Sequence, residues 1–375
     1  MGGTVSPGRK GGEENMANTI QTVRIPAEAL RRQAEAILVG YGARPEEAAI
    51  QADARLQGEL RGHPGQGQGM RGLMRYCQML ETGGIVPGAP FEILVDTPAS
   101  ALVDAHRGFG QVMAARAMDL AIDKAREVGV GLVLVRHSNH FGIAQYHAMR
   151  AAAQGMIGVA MTNAGPEMAP WGGITPTIGT NPWGIAAPTD LGFPLVLDMA
   201  LSMSGKGMVR WHLRQGLEIP TDWAYDRYGN VTDDPAKAIE GPLVPMGAFK
   251  GTGLSIMTDV ICGVLAGAAF GLTPYQDPAN HDVGHTMIAI DIARFMPWDE
   301  YLSRMQAFCA ELKASELAPG FSEILLPGEL EHRRMQERLA NGIPVDTESI
   351  ATLRELAGRR RVAFTLDAYV DSEVS

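Results

Sequence analysis

A strand-to-helix junction near the middle of the 375-residue chain is the feature that most constrains its fold. The apolar run at 128–135 predicts a buried strand, and residues 143–153 have the composition and spacing of a helix. The turn between them reads Arg-His-Ser-Asn-His-Phe-Gly over 136–142. Backbone amides and a helix N-terminus at such a turn favour an anionic group. We therefore predict that this turn supplies a proton donor to a ligand.

The composition indicates a compact, glycine-rich enzyme of two or three domains, with 46% apolar residues and 45 glycines. The formal net charge is −10, and no Lys/Arg cluster could follow a phosphate backbone, which argues against nucleic acid and anionic membrane as partners. No stretch reaches 18 continuous apolar residues. The three cysteines lie far apart, so we expect no disulfide framework and a cytoplasmic location.

The first 20 residues are polar and glycine-rich, without the apolar region of a secretory signal. We expect a disordered extension there, with Met16 as a candidate natural start.

A glycine-rich loop is expected at 61–71, where four glycines lie between two helical segments. Glycine accepts positive φ and has no side chain, so such a loop can bring backbone close to a ligand. A flexible connector is the alternative.

The sequence carries neither of the two common nucleotide-binding fingerprints. Met113 and Ile256 stand where the third glycine of Gly-x-Gly-x-x-Gly would be, after Gly108 and Gly251, and no Walker A sequence is present. A dinucleotide would therefore have to bind without a Rossmann motif.

Three histidines surround the central turn, at His137, His140 and His147. Their spacing matches no common zinc pattern and no cysteine is near, so we expect no metal site. His140 suits a general acid or base, because an imidazole near neutral pKa can give a proton to an alkoxide and take it back. Spacing alone favours a structural histidine over this role.

Two further charged residues have two interpretations each. Asp198, at the end of a predicted strand, could orient an imidazole or hold a ribose hydroxyl, or it could cap a helix. Lys250, ahead of Gly-Thr-Gly, could meet a phosphate at a helix N-terminus, or it could be a solvated lysine.

Assembled in order, these residues resemble the malate/L-lactate dehydrogenase family of non-Rossmann oxidoreductases. That family includes ureidoglycolate dehydrogenase, sulfolactate dehydrogenase, diketogulonate reductase and piperideine-2-carboxylate reductase. The resemblance covers about residues 25–329. The matching motifs are Ser138-Asn-His-Phe-Gly142, Met161-Thr-Asn163, Gly179-Thr-Asn-Pro182, Asp198-Met-Ala200, Lys250-Gly-Thr-Gly-Leu254 and Leu326-Pro-Gly-Glu329.

The resemblance implies an α/β (α+β) fold and an intimate homodimer. A non-Rossmann NAD(P)-binding domain with a largely antiparallel seven-stranded sheet would occupy 91–299, with a small inserted segment. A helical, substrate-side domain would combine 21–90 with 300–375.

The resemblance also implies hydride transfer between NAD or NADP and C2 of a small 2-hydroxy acid/2-oxo acid, with His140 as the catalytic acid/base. An arginine would grip the substrate carboxylate. Cofactor contacts would come from Thr162, Asn163, Thr180, Asp198, Met199, Ala200, Lys250, Pro327, Gly328 and Glu329. Substrate contacts would come from Arg61, His63, Gln66, Arg71, Ser138 and Asn139.

The chain departs from the family pattern at the substrate loop. Where members usually have Ser-His-Gly with an arginine three residues on, this chain has Gly65-Gln66-Gly67, and Arg71 lies one position late. Gln66 cannot donate a proton near pH 7 but can hydrogen-bond a substrate oxygen, and His63 is a possible substitute acid. A second departure follows Asp198-Met-Ala200. Where members usually have Gly-Lys, this chain has Gly207-Met208, and the lysine, Lys206, lies two positions earlier than expected.

Two alternatives remain open from the sequence. The enzyme could reduce a cyclic imino acid such as piperideine- or pyrroline-2-carboxylate, because an iminium arrives already protonated. The chain could also bind NAD(P) without redox turnover. The sequence does not decide between NAD and NADP.

Overall fold

The computed structural model describes residues 22–63 and 69–370. The predicted extension at 1–20, with Met16, and the loop residue Gln66 lie outside the described residues.

A seven-stranded sheet forms the centre of the molecule, with strand order β2-β3-β4-β8-β5-β6-β7. Only the β3/β4 pair is parallel; the other neighbouring strands are antiparallel, as expected. The strands are β2 (Glu92–Asp96), β3 (Ser100–Asp104), β4 (Val130–Ser138), β5 (Met156–Thr162), β6 (Trp183–Ala187), β7 (Leu195–Met199) and β8 (Val283–Asp291).

Two helices pack on this sheet and fix the central turn. The chain runs from α4 (Gly110–Val128) into β4, through the turn, and into α5 (Ala144–Ala152), as the apolar pattern predicts. Glycines permit the close packing: Gly131 of β4 lies against the Ala121 carbonyl of α4 with no space for a Cβ atom. Gly110 likewise lies against the backbone of 139–140. The start of α4 therefore supports the turn that carries His140.

A layer of helices from both chain ends packs beside the sheet. One apolar core joins the two ends of the chain through residues such as Leu30, Ile37, Leu353 and Leu356, all fully buried. A two-stranded antiparallel ribbon, β1 (Thr22–Ile25) with β9 (Ile343–Asp346), ties the ends together. The helices are α1 (Ala27–Gly40), α2 (Pro45–Arg61), α3 (Leu73–Thr82), α10 (Glu329–Asn341), α11 (Thr347–Arg359) and α12 (Asp367–Val370).

Helix α9 (Trp298–Lys313) lies apart from that layer, with the Tyr301 hydroxyl donating to the Pro188 carbonyl (3.1 Å) near the end of β6. The domain boundary expected at residue 300, between the NAD(P)-binding domain and the helical domain, stays a prediction.

A small segment follows β7, and its core around Val209 and Leu243 also includes Met168 from the connection between β5 and β6. It contains α6 (Lys206–Gln215) and α7 (Pro235–Glu240). Helix α8 (Phe249–Thr258) then continues into a π-helical turn (Asp259–Leu265). Within 22–63 and 69–370, no helix is both long and apolar enough to cross a membrane.

Candidate active site

A cleft of about 1170 Å³ opens where the sheet, the terminal helices and the small segment meet. Its size exceeds the roughly 300–1,000 Å³ of most small-molecule sites, which leaves room for a large cofactor together with a substrate. The predicted site residues that line it are His63, Arg71, His140, Thr162, Asn163, Thr180, Asp198 and Ala200.

His140 is held by its Nδ1 atom. The Tyr76 hydroxyl lies 2.7 Å from Nδ1, and the Gly142 nitrogen lies 3.3 Å from the same atom, close enough to donate to it when Nδ1 carries no proton. Gln111 Nε2 donates to the Tyr76 oxygen (2.8 Å), and the Arg55 guanidinium lies 4.2 Å from the centre of the Tyr76 ring. These contacts leave Nε2 as the His140 nitrogen that is available to a ligand.

Burial lowers the pKa of His140 well below 6.5, and the positive charges of Arg75 and Arg55 lower it further. The imidazole is therefore neutral at pH 7 in the free protein. A neutral imidazole can accept a hydroxyl proton, and it gains a proton more readily once an anionic substrate enters the cleft.

Ser138 and Asn139 lie behind His140 and do not line the cleft. Both are buried, at 0% and 1% exposure. Ser138 Oγ lies 2.8 Å from His285 Nε2, and Asn139 Nδ2 donates to three backbone carbonyls, those of Gly84, Arg107 and Gly108. These two side chains therefore stabilise the turn from the protein interior. The family resemblance had instead implied that they contact the substrate.

Asp198 and His63 meet at one end of the cleft. Asp198 Oδ2 accepts the Gln145 N–H (3.1 Å) in the first turn of α5, so the carboxylate caps that helix from a neighbouring strand. His63 Nε2 lies 2.9 Å from Gln145 Nε2. Burial raises the pKa of Asp198, whereas His63 and the Gln145 N–H oppose that shift. Asp198 lies within β7 and is not the N-cap residue of a helix, but it binds an N–H in the first turn of α5 and also lines the cleft.

The two predicted arginines differ in their surroundings. Arg71 lines the cleft, and its Nη1 forms an ion pair with Glu348 Oε2 (2.7 Å) on α11. Arg61 is buried at 8% exposure, outside the cleft lining, and burial lowers its pKa. The structure therefore does not bring Arg61 to the ligand space.

Four basic residues of the cleft are missing from the predicted site. They are Arg75 on α3 and Lys206, Arg210 and Arg214 on α6. The α6 residues follow one another at intervals of four, which places them on one face of a helix, so the sequence did contain a signal. Lys206 Nζ donates to the Ile239 carbonyl (3.0 Å), and burial lowers the pKa of its ammonium.

The remaining predicted cofactor residues do not line the cleft. Lys250 is exposed in the first turn of α8, and Pro327 accepts the Val196 N–H (3.0 Å) beside β7. Glu329 forms ion pairs with Lys313 (2.5 Å) and Arg333 (2.5 Å). The set outside the cleft lining is Met199, Lys250, Pro327, Gly328 and Glu329.

The three histidines around the turn have different partners. His137 Nδ1 lies 2.8 Å from Asp104, and His147 Nε2 lies 2.8 Å from the Phe141 carbonyl. His140 instead faces Tyr76. The three rings therefore do not converge on one point.

The cleft has groups that fit a nicotinamide dinucleotide. Helix α6 begins at Lys206 without a side-chain cap, and Gly205, Lys206 and Gly207 all line the cleft. Uncapped amides at a helix N-terminus beside a lysine suit a pyrophosphate. The Asp198 carboxylate can accept hydrogen bonds from sugar hydroxyls.

Comparison with known proteins identifies the family. A sequence profile of the malate/L-lactate dehydrogenase family matches residues 25–354. The chain belongs to the malate/L-lactate dehydrogenase family. It is 39% identical to malate dehydrogenase from Pyrococcus abyssi over 346 residues, which cover 90% of this chain and 95% of that protein.

Two further relatives agree with this assignment. L-sulfolactate dehydrogenase from Methanocaldococcus jannaschii is 37% identical over 339 residues, 89% of this chain and 96% of that protein. The solved structure of malate dehydrogenase from Pyrococcus horikoshii matches with a TM-score of 0.85 and 34% identity, over 94% of this chain and 99% of that one. The predicted family and fold are confirmed, and the chain is an NAD(P)-dependent oxidoreductase of the hydroxy acid/oxo acid class.

Proposed function

We propose that this protein transfers a hydride between NAD or NADP and C2 of a small 2-hydroxy acid/2-oxo acid that carries a second anionic group. The observation that carries the proposal is the 2.7 Å contact between Tyr76 and Nδ1 of His140, a residue that lines the cleft. It holds the ring so that Nε2 can exchange a proton with the substrate oxygen.

His140 acts in both directions of the reaction. In oxidation, the neutral imidazole takes the hydroxyl proton at Nε2; in reduction, the protonated ring returns that proton to the forming alkoxide. Nε2 is bare in the neutral ring only when the proton is on Nδ1, so the Tyr76 oxygen accepts Nδ1–H in both the neutral and the protonated state. The bound nicotinamide supplies or accepts the hydride.

The cofactor would lie along the cleft past Asp198. Lys206 and the first amides of α6 would hold the pyrophosphate, and Asp198 would accept a hydrogen bond from a ribose hydroxyl. We retain Thr162, Asn163, Thr180 and Ala200 as contacts because they line the same cleft. Met199, Lys250 and Pro327–Glu329 would be reached only by the part of the cofactor that leaves the cleft.

A second anionic group on the substrate is supported by the charge of the cleft. Arg210 and Arg214 line the cleft, and among the described residues neither makes an ion pair within 4.0 Å. The named relatives act on malate and sulfolactate, both of which carry two acidic groups. We therefore propose a dianionic acid as the substrate class.

A homodimer is supported by an exposed apolar face on α8 and its π-helical continuation. Phe249, Met257, Val264 and Leu265 are each more than half exposed there. Large exposed apolar patches commonly mark protein interfaces, and we propose a second copy of the chain as the partner.

The three buried, unpaired cysteines agree with a reducing, cytoplasmic environment.

The test is oxidation of NADH or NADPH, followed by absorbance, with a panel of 2-oxo acids and cyclic imines. Turnover of dianionic 2-oxo acids, lost in His140→Asn, is the expected result. Turnover of the cyclic imines alone would replace the proposal with the imino acid alternative. Cofactor binding without turnover of any compound would contradict a redox function.

A further inference from the structure

We infer that Arg75, and not the loop arginine Arg71, binds the C1 carboxylate of the substrate. This inference rests on the proposed function and names the residue that aligns the reacting carbon with His140. Arg75 lies on α3, directly before Tyr76, whose hydroxyl contacts His140. Both Arg75 and His140 line the cleft.

Arg75 is positioned by an aromatic surface. Its guanidinium lies 5.2 Å from the centre of the Tyr275 ring, and that ring packs on His281 with centroids 4.5 Å apart. Tyr275 adopts a φ of 64°, which is costly for a bulky residue and is usually found where structure serves a site. The planar fork of an arginine is pre-organised, so the side chain loses little freedom for each hydrogen bond that it forms with a carboxylate.

Arg75 is an exposed residue whose guanidinium lies over the Tyr275 ring. Among the described residues it makes no hydrogen bond and no ion pair, so its five N–H donors remain for a ligand. A carboxylate is the group that matches this planar set of donors, because it can accept two parallel hydrogen bonds.

Arg71 already has a carboxylate partner, in an ion pair whose side chains are 46% and 68% exposed. Its Nη1 lies 2.7 Å from Glu348 Oε2, so a substrate would have to compete with an existing carboxylate. The positive charge of Arg75 acts on the reacting centre, because after burial it does most to lower the pKa of His140, and both residues line the cleft.

Matched variants separate the two arginines. For Arg75→Met we expect KM for a 2-oxo acid to rise by about 10- to 100-fold, with Arg75→Lys intermediate, because lysine cannot form the bidentate pair. Arg71→Met should raise KM by much less than Arg75→Met does, and Arg227→Met, outside the cleft lining, should stay within about threefold of the parent protein. The dissociation constant of NADH, measured by fluorescence, should be unchanged in all of these variants.

Two further readouts identify the group that is bound. The ratio of kcat/KM for a 2-oxo acid to kcat/KM for its 2-oxo amide should fall towards one in Arg75→Met and stay unchanged in Arg71→Met, because only the acid has a carboxylate. The acidic limb of the oxidation pH profile should move upward only in Arg75→Met, because removal of a nearby positive charge raises the pKa of His140.

Oxamate binding keeps this test independent of turnover. Calorimetry with the protein–NADH complex should show oxamate affinity reduced at least about tenfold by Arg75→Met and little changed by Arg71→Met. If no 2-oxo acid is reduced but this pattern appears, the proposed reaction fails while the carboxylate assignment holds. Loss of affinity in Arg71→Met with Arg75→Met unaffected, or no difference between the variants, would overturn the inference.

Discussion

The Tyr76 hydroxyl lies 2.7 Å from His140 Nδ1, although the two residues are 64 positions apart in the chain. Helix α3 of the terminal helical layer thereby reaches the central turn of the sheet domain. The contact determines which imidazole nitrogen can bind the substrate. Hydrogen-bonding partners orient catalytic histidines in other enzymes in the same way. The two layers of the molecule are thus both needed to build the site.

Tyr76→Phe should reduce kcat without unfolding the protein. Loss of one hydrogen bond to the ring costs about 1 kcal/mol, which corresponds to roughly a five- to tenfold lower kcat. Tyr146→Phe is the matched control, because its buried hydroxyl donates to Asp53 (2.9 Å) instead of to the catalytic ring. Equal losses of kcat in both variants would show that Tyr76 has no specific effect on His140.

The pH dependence of hydroxy acid oxidation should report the lowered pKa of His140. The neutral ring is the base, so kcat/KM should stay level as the pH falls to 6.5 and should decline only below it. The measurement is kcat/KM between pH 5 and pH 9 with saturating oxidised cofactor. An acidic limb centred at pH 7 or above would contradict the electrostatics of the site.

Arg210→Met and Arg214→Met should act on dianionic substrates selectively. We expect about tenfold lower kcat/KM for oxaloacetate in each variant, and a change below about threefold for pyruvate, which lacks the second carboxylate. Arg227→Met is the control, because this arginine of the same segment lies outside the cleft lining, 3.9 Å from Glu240. Equal decreases in kcat/KM for oxaloacetate and pyruvate would show that Arg210 and Arg214 do not select the substrate.

Glu329→Gln should lower stability in a pH-dependent way. The pKa of Glu329 falls from 4.5 to about 2: burial opposes this shift, and the Leu326 N–H, Lys313 and Arg333 produce it. A carboxyl group whose pKa is lowered on folding adds to the free energy of unfolding above pH 4.5. That contribution is lost as the pH falls through about 2.

The expected loss for Glu329→Gln is about 1–2 kcal/mol in the free energy of unfolding at pH 7, reduced by the partial exposure of its partners. Denaturant titrations at pH 7 and pH 3 test it, with Glu300→Gln, from an exposed helical pair with Arg304, as the control. A difference that is as large at pH 3 as at pH 7 would show that the ion pairs are not its cause.

Elements with a strong apolar period could be predicted from the sequence. The β4–turn–α5 unit agrees closely with the expected ranges because its burial follows the pattern of the chain. The β1/β9 ribbon was missed because it pairs segments from opposite ends of the chain. Helix α6 was missed because its basic sequence has few apolar residues to show a period.

The site could be predicted only in part. Motif matching found His140 and Asp198, both in the cleft, since local sequence encodes the turn and the strand end. It could not show that Arg71 has a carboxylate partner, because that partner, Glu348, is 277 residues away in the chain. It also could not show that Ser138 and Asn139 face the interior, because that depends on packing against His285 and α4.

Transfer of isotope tests the central claim most directly. Reduction of a dianionic 2-oxo acid with nicotinamide cofactor deuterated at C4 of the ring should place deuterium at C2 of the hydroxy acid, detected by NMR or mass spectrometry. In His140→Asn the rate of that transfer should fall by a factor of about 100 or more while cofactor binding persists. Absence of deuterium at C2 for every 2-oxo acid, or an unchanged rate in the variant, would contradict the account.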